Sequence, residues 1–266
     1  MRKLADSTKF SIAALLFMIG LSIYARHYFM LISDKKDYYA KQNTTNYYNS
    51  AKPPATSSDT TEQPSGQSAP QPETNTPAPL PDKAYLKVPF LVQAPFAVWD
   101  DLHQEACEEA SLIMVKHYIK GTTITSSDSG DKEIINLVNY VENHGYKIDV
   151  TVAELNQIAK SYYGLKTGRV KTNATVDDIK REITAGKPVI IPAAGKLLPN
   201  PNFRAGGPLY HMLVVKGYDE NGFITNDPGT RKGEDFHYKF DDLYNALHDW
   251  NPQNILEGQK AYLVFD

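Results

Sequence analysis

The sequence predicts an α+β domain over residues 84–266, a helical half followed by an antiparallel sheet. Helix-periodic apolar positions with cap spacings dominate residues 107–185, whereas short β-branched runs separated by turn residues dominate from Pro188 onward. A Pro-, Ser- and Thr-rich stretch with almost no apolar side chains separates this domain from an apolar segment near the start of the chain.

That first segment, Phe10 to Ala25 (FSIAALLFMIGLSIYA), is uncharged and follows Arg2, Lys3 and Lys9, and a second apolar patch runs from Tyr28 to Ile32. A bilayer core calls for about 20 apolar residues, which the span 10–32 supplies if Arg26 snorkels to the interface. No Ala-x-Ala site lies near Ala25, so the pattern predicts an uncleaved signal anchor, a single transmembrane helix at residues 10–32. The basic flank places residues 1–9 in the cytoplasm and the rest of the chain outside.

Residues 33–83 read as a disordered linker. Their core, KPPATSSDTTEQPSGQSAPQPETNTPAPLP, cannot bury enough apolar surface to offset its ordering entropy. It is expected to hold the following domain off the membrane.

Within the domain, Ala110, Leu112, Ile113, Met114, Val115 and Ile119 predict a largely buried helix over 107–120, with Gly121 as its stop. A second helix is expected over 131–142, ending near Gly145. A third begins at Thr151, which has Glu154 at capping-box spacing, and stops near Gly164; a fourth has Thr175 and Asp178 at that spacing. Strands follow at Pro188–Ala194, Tyr210–Tyr218, Phe223–Asn226 and Lys260–Phe265. Asp219-Glu220-Asn221-Gly222 supplies the tight turn between the middle pair.

The net charge of −3 and the absence of a basic stripe argue against nucleic-acid binding. The single cysteine, Cys107, excludes an internal disulfide, which suits a bacterial surface protein better than a small secreted scaffold. His103, His117, His144, His237 and His248 lack the spacing of a metal site, and no cofactor is expected.

Cys107 opens the first helix, where the partial positive charge of the helix N-terminus favours a thiolate, opposed in part by Glu108 and Glu109. Pairing about the turn sets Tyr218 beside Phe223 and brings His211 near the level of Asp227, so these two can meet across one hairpin. Taken singly, Cys107 reads as a small buried hydrophobe, His211 as a core histidine and Asp227-Pro228-Gly229 as a turn.

The stretch Val88-Pro89-Phe90-Leu91-Val92-Gln93-Ala94-Pro95, then Trp99, then Gln104-Glu105-Ala106-Cys107-Glu108-Glu109-Ala110-Ser111 resembles the start of papain-like cysteine peptidases of the bacteriocin-processing (double-glycine) group. His211 to Asp219 and Asn226-Asp227-Pro228 resemble that group's histidine strand and Asp-Pro pair. The resemblance spans residues 87–266 and implies a papain-like fold, with Cys107 as nucleophile, His211 as general base and acid, and Asp227 orienting it. It also implies an oxyanion-stabilising glutamine. Gln93 fits by context, with residues 96–103 as an insertion, and Gln104 stands in the turn before Cys107. Glu108 departs from the glycine that many relatives carry after the cysteine.

The resemblance therefore implies a thiol hydrolase cutting peptide or amide bonds, and the apolar span at residues 10–32 is expected to anchor it in the cell membrane with its catalytic domain on the extracytoplasmic side. Its substrate would be a peptide or a peptidoglycan peptide, and the protein is expected to be a monomer. No transporter or nucleotide-binding motif accompanies it, which argues against export-coupled maturation. The competing expectation is a non-catalytic surface module that binds peptide or cell-wall ligands in the same cleft.

Overall fold

The structure is a computed structural model and describes residues 79–266. The segment predicted to span the membrane, residues 10–32, and nearly all of the predicted linker lie outside the described residues. Among the described residues no helix is long and apolar enough to cross a membrane.

Helices α1 (Cys107–Ile119), α2 (Ser127–Asn143) and α3 (Val152–Tyr163) come first, after a short strand β1 (Ala84–Tyr85). They are followed by β2 (Gly168–Thr172), α4 (Val176–Thr184), β3 (Val189–Ala194), β4 (Tyr210–Asp219), β5 (Gly222–Asn226), β6 (Phe236–Tyr238), α5 (Phe240–Ala246) and β7 (Ala261–Phe265). The sheet runs β2-β7-β3-β4-β5-β6, every pair antiparallel, and β1 lies against β4. This is the α+β arrangement that the sequence predicts.

Local chemistry accounts for the helix boundaries. Thr151 accepts from Glu154 N–H while the Glu154 carboxylate accepts from Thr151 N–H, and Thr175 and Asp178 repeat the arrangement. Gly164, at φ 70°, closes α3 in the left-handed conformation that glycine adopts without strain. Helix α2 begins earlier than its expected start at Asp131, because Ser126 and Ser129 form a reciprocal cap that a Glu/Gln-based pattern does not detect.

Helix α1 is buried from Cys107 through Lys116 and packs on β4. Leu112, Ile113 and Met114 are fully enclosed. Each contributes about 1.5–3 kcal/mol by burial, so the helix that carries Cys107 is a rigid central member of the domain. On the opposite face of the sheet, Ile179 and Ile183 of α4 and Leu243 and Ala246 of α5 pack against Ile191, Leu213 and Val215.

The β4–β5 hairpin contains a β-bulge that the sequence reading lacks. Tyr218 pairs with Phe223 as expected and Gly217 with Ile224, but Val215 then pairs with Thr225 and Val214 with Asn226, leaving Lys216 as the extra residue. One step further, Asp227 falls across from Leu213. Residues two apart on a strand share a face, so His211 and Asp227 emerge on the same side. Without Lys216 in the bulge, Asp227 would face Val214 and the pair would point to opposite sides of the sheet.

Candidate active site

The bulge delivers His211 and Asp227 to one place. His211 Nε2 lies 2.8 Å from Asp227 Oδ1, with both side chains essentially inaccessible to solvent. Asp227 is satisfied on every side: Gly229 N–H donates to Oδ1 at 2.9 Å, Tyr238 Oη–H to Oδ2 at 2.6 Å and Asn200 Nδ2 to Oδ2 at 3.2 Å. Burial opposes its charge, but the His211 imidazole and these donors outweigh it and hold the carboxyl below its ordinary value. The Phe203 ring meets the imidazole edge to face at 5.3 Å. A Cβ on Gly229 would stand 2.9 Å from both His211 Cε1 and Phe203 Cε1, so only glycine leaves the ring its seat.

Cys107 lies at the start of α1, whose N-cap residue Ala106 provides no side-chain hydrogen bond. The helix therefore leaves its first N–H groups free of side-chain caps. Helix α1 packs on β4, the strand that carries His211, which sets Cys107 beside that strand. The thiol proton goes elsewhere: Sγ donates to Glu108 Oε2 at 3.0 Å. No hydrogen bond joins Cys107 to His211. Burial and the neighbouring Glu108 carboxylate push the thiol well above its ordinary pKa.

Gln93 spans two parts of the site. Its backbone N–H donates to Pro228 O at 3.0 Å, directly after Asp227. Its side-chain Nε2 donates to the carbonyls of His103 (2.8 Å) and Gln104 (3.0 Å), in the loop that leads to Cys107, and its Oε1 is buried without a partner. Gln104 belongs to the preceding turn: its N–H and its side chain both donate to Asp100 O. His103 secures the same loop, bridging Asp100 Oδ1 at 2.7 Å and Asp131 Oδ1 of α2 at 3.0 Å.

The structure thus joins His211 to Asp227, sets Cys107 against the strand that carries His211, and places Gln93 between the Asp227-Pro228 turn and the approach to Cys107. Tyr238 and Asn200, which complete the Asp227 environment, were not singled out by sequence reasoning. Tyr238 sits in β6, whose brevity conceals a strand pattern, and Asn200 lies in a Pro-Asn-Pro-Asn loop that carries only turn signals. Among the described residues no group of three or more His, Cys, Asp or Glu side chains could hold a metal ion.

A family model for the peptidase C39-like family matches residues 85–254. Among solved structures, a protein described as a C39-like peptidase from Bacillus anthracis is 20% identical, with a TM-score of 0.49 over 70% of this chain and 98% of its own. A fragment of prointerpain A from Prevotella intermedia is 14% identical, with a TM-score of 0.46 over 69% of this chain and 72% of its own. No curated protein matches.

Proposed function

The chain belongs to the peptidase C39-like family and is a cysteine peptidase, and from that premise we propose that Cys107, His211 and Asp227 form its catalytic set, hydrolysing peptide or amide bonds through an acyl-enzyme. The observation that carries this reading is the buried 2.8 Å bond from His211 Nε2 to Asp227, with Cys107 opening the helix that packs on the strand of His211. Asp227 fixes one ring nitrogen, which leaves Nδ1 to take the thiol proton.

The thiolate then attacks the scissile carbonyl. The Cys107 N–H at the helix start is the first oxyanion donor, and Gln93 becomes the second by releasing its bond to the Gln104 carbonyl. The imidazolium of His211 protonates the departing amine, leaving a thioester on Cys107. His211 next takes a proton from water, whose oxygen attacks the thioester, and the acid is released with the thiol restored.

The apolar span at residues 10–32 supports a single-pass anchor with this domain on the extracytoplasmic side of the cell membrane, where peptides and peptidoglycan peptides are within reach. Carbonate extraction of membranes tests the anchor, since an integral protein stays in the pellet.

Alkylation with iodoacetamide tests the catalytic set. His211→Ala should slow Cys107 modification and abolish turnover of a peptide library, and unchanged labelling in that variant would sink the assignment. A second reading, a module that binds the same ligands without cleaving them, draws on the engagement of the thiol by Glu108. It requires ligand binding that survives Cys107→Ser, with no turnover by the wild type.

A further inference from the structure

We propose that Glu108 is a further catalytic residue of this enzyme, a proton holder on the nucleophile that keeps Cys107 dormant until the Glu108 carboxylate is neutralised or displaced. The inference rests on the catalytic set proposed above and adds a step in front of it.

The geometry is specific. Glu108 follows Cys107 at the start of α1, yet its side chain turns inward and is only 1% exposed. Oε2 takes the thiol hydrogen at 3.0 Å, and Oε1 accepts the Val150 N–H at 3.4 Å from the segment ahead of α3. A carboxylate on a helix surface would solvate itself and leave the thiol alone. This one is anchored at both oxygens, one of them on the reacting sulfur.

The surroundings supply the reason that the carboxylate can be switched. Glu109 on the same helix, Asp149 ahead of α3, Tyr210 on β4 and Cys107 itself all face or couple to Glu108, and Asp249 reaches Tyr210 Oη at 3.3 Å. Burial, Glu109 and Asp149 raise the Glu108 carboxyl well above its ordinary value.

The proton balance follows. In the dormant state one proton lies between Sγ and Glu108, and His211 is neutral. Uptake of one proton lets Glu108 become a neutral acid, while the thiol proton passes to His211 as the thiolate–imidazolium pair forms. The reactive state therefore holds one proton more than the dormant one, and its population rises as pH falls through the Glu108 titration. An ordinary thiol behaves in the opposite way, gaining thiolate as pH rises.

Because Cys107 is the only cysteine in the chain, its alkylation rate is a direct readout. The wild-type iodoacetamide rate is measured across the whole pH range in which the domain stays folded, and Glu108→Gln is measured beside it. Wild type should react faster toward acid, and Glu108→Gln should react at least about tenfold faster than wild type at pH 7, as expected for a thiol relieved of one pKa unit. A wild-type rate that is flat or rises with pH overturns the proposal without any variant, as does a folded Glu108→Gln that reacts no faster. His211→Ala in the Glu108→Gln background separates the two readings. If the fast reaction survives loss of His211, the catalytic set fails while the restraint by Glu108 stands.

Discussion

Tyr238 donates to Asp227 Oδ2 at 2.6 Å, the shortest hydrogen bond that this carboxylate makes, and so a residue from β6 holds the group that holds His211. Tyr238→Phe should leave the fold intact at a cost of about 1–3 kcal/mol, because a buried acceptor loses a donor and Asn200 remains on the same oxygen. The loss of His211 orientation should appear as a lower kcat with little change in KM. Steady-state kinetics and a thermal melt check both parts.

The Gly229 position offers a sharper mechanical test. In Gly229→Ala the new methyl would press on His211 Cε1 and Phe203 Cε1, each 2.9 Å away. Activity should fall by about tenfold or more while the melting temperature moves little, since about 1.4 kcal/mol of lost transition-state stabilisation is enough. Restored activity on adding Phe203→Ala, which gives the ring room to recoil, would identify steric displacement as the cause.

Gln93 makes a further prediction. Gln93→Ala removes both ties to the His103 and Gln104 carbonyls, and the loop before Cys107 should then be cut sooner by a nonspecific protease. Turnover should fall as well, through loss of an oxyanion donor, by about 10²-fold. A variant with wild-type turnover would remove Gln93 from the oxyanion hole and leave it a loop anchor only.

Stability should depend on pH in two windows of opposite sign. Asp227 has its folded pKa depressed, so its contribution is complete above the unfolded value of about 3.9 and is lost as pH falls through the folded one. Glu109, raised to about 7 by burial, acts in reverse: the folded state binds its proton more readily, and stability increases as pH drops from 7 toward the unfolded value. Melting temperature should therefore rise from pH 8 to about pH 5 and fall below about pH 4. Glu109→Gln should make the first limb shallower, with Glu108 still contributing to it, and Asp227→Asn should make the second shallower.

Much of this molecule is legible in its residues. Thr151 with Glu154 and Thr175 with Asp178 announce helix starts because capping is local chemistry, and Tyr218 meets Phe223 because a tight turn fixes the first pairs of a hairpin. What lies three pairs further on is not local. The extra Lys216 decides which face Asp227 takes, and nothing in Val214-Val215-Lys216-Gly217 marks it, since its side chain is buried and ion-paired to Asp235 from beyond β5. The charge of Glu108 beside the thiol is equally plain in the sequence. Its inward turn is set by Val150 and the packing of α3, which spacing along the chain does not reveal.

Strand β4 also determines how the protein can be held. The leading chain joins the domain at the Tyr218 end of that strand, where Tyr218 Oη donates to the Pro81 carbonyl and β1 pairs with Gly217 and Tyr218. His211, the second residue of the same strand, lies roughly 20 Å away, at about 3.3 Å per residue. A bead, a fused partner or a surface attached upstream of Pro79 thus joins the domain at the end of β4 remote from His211.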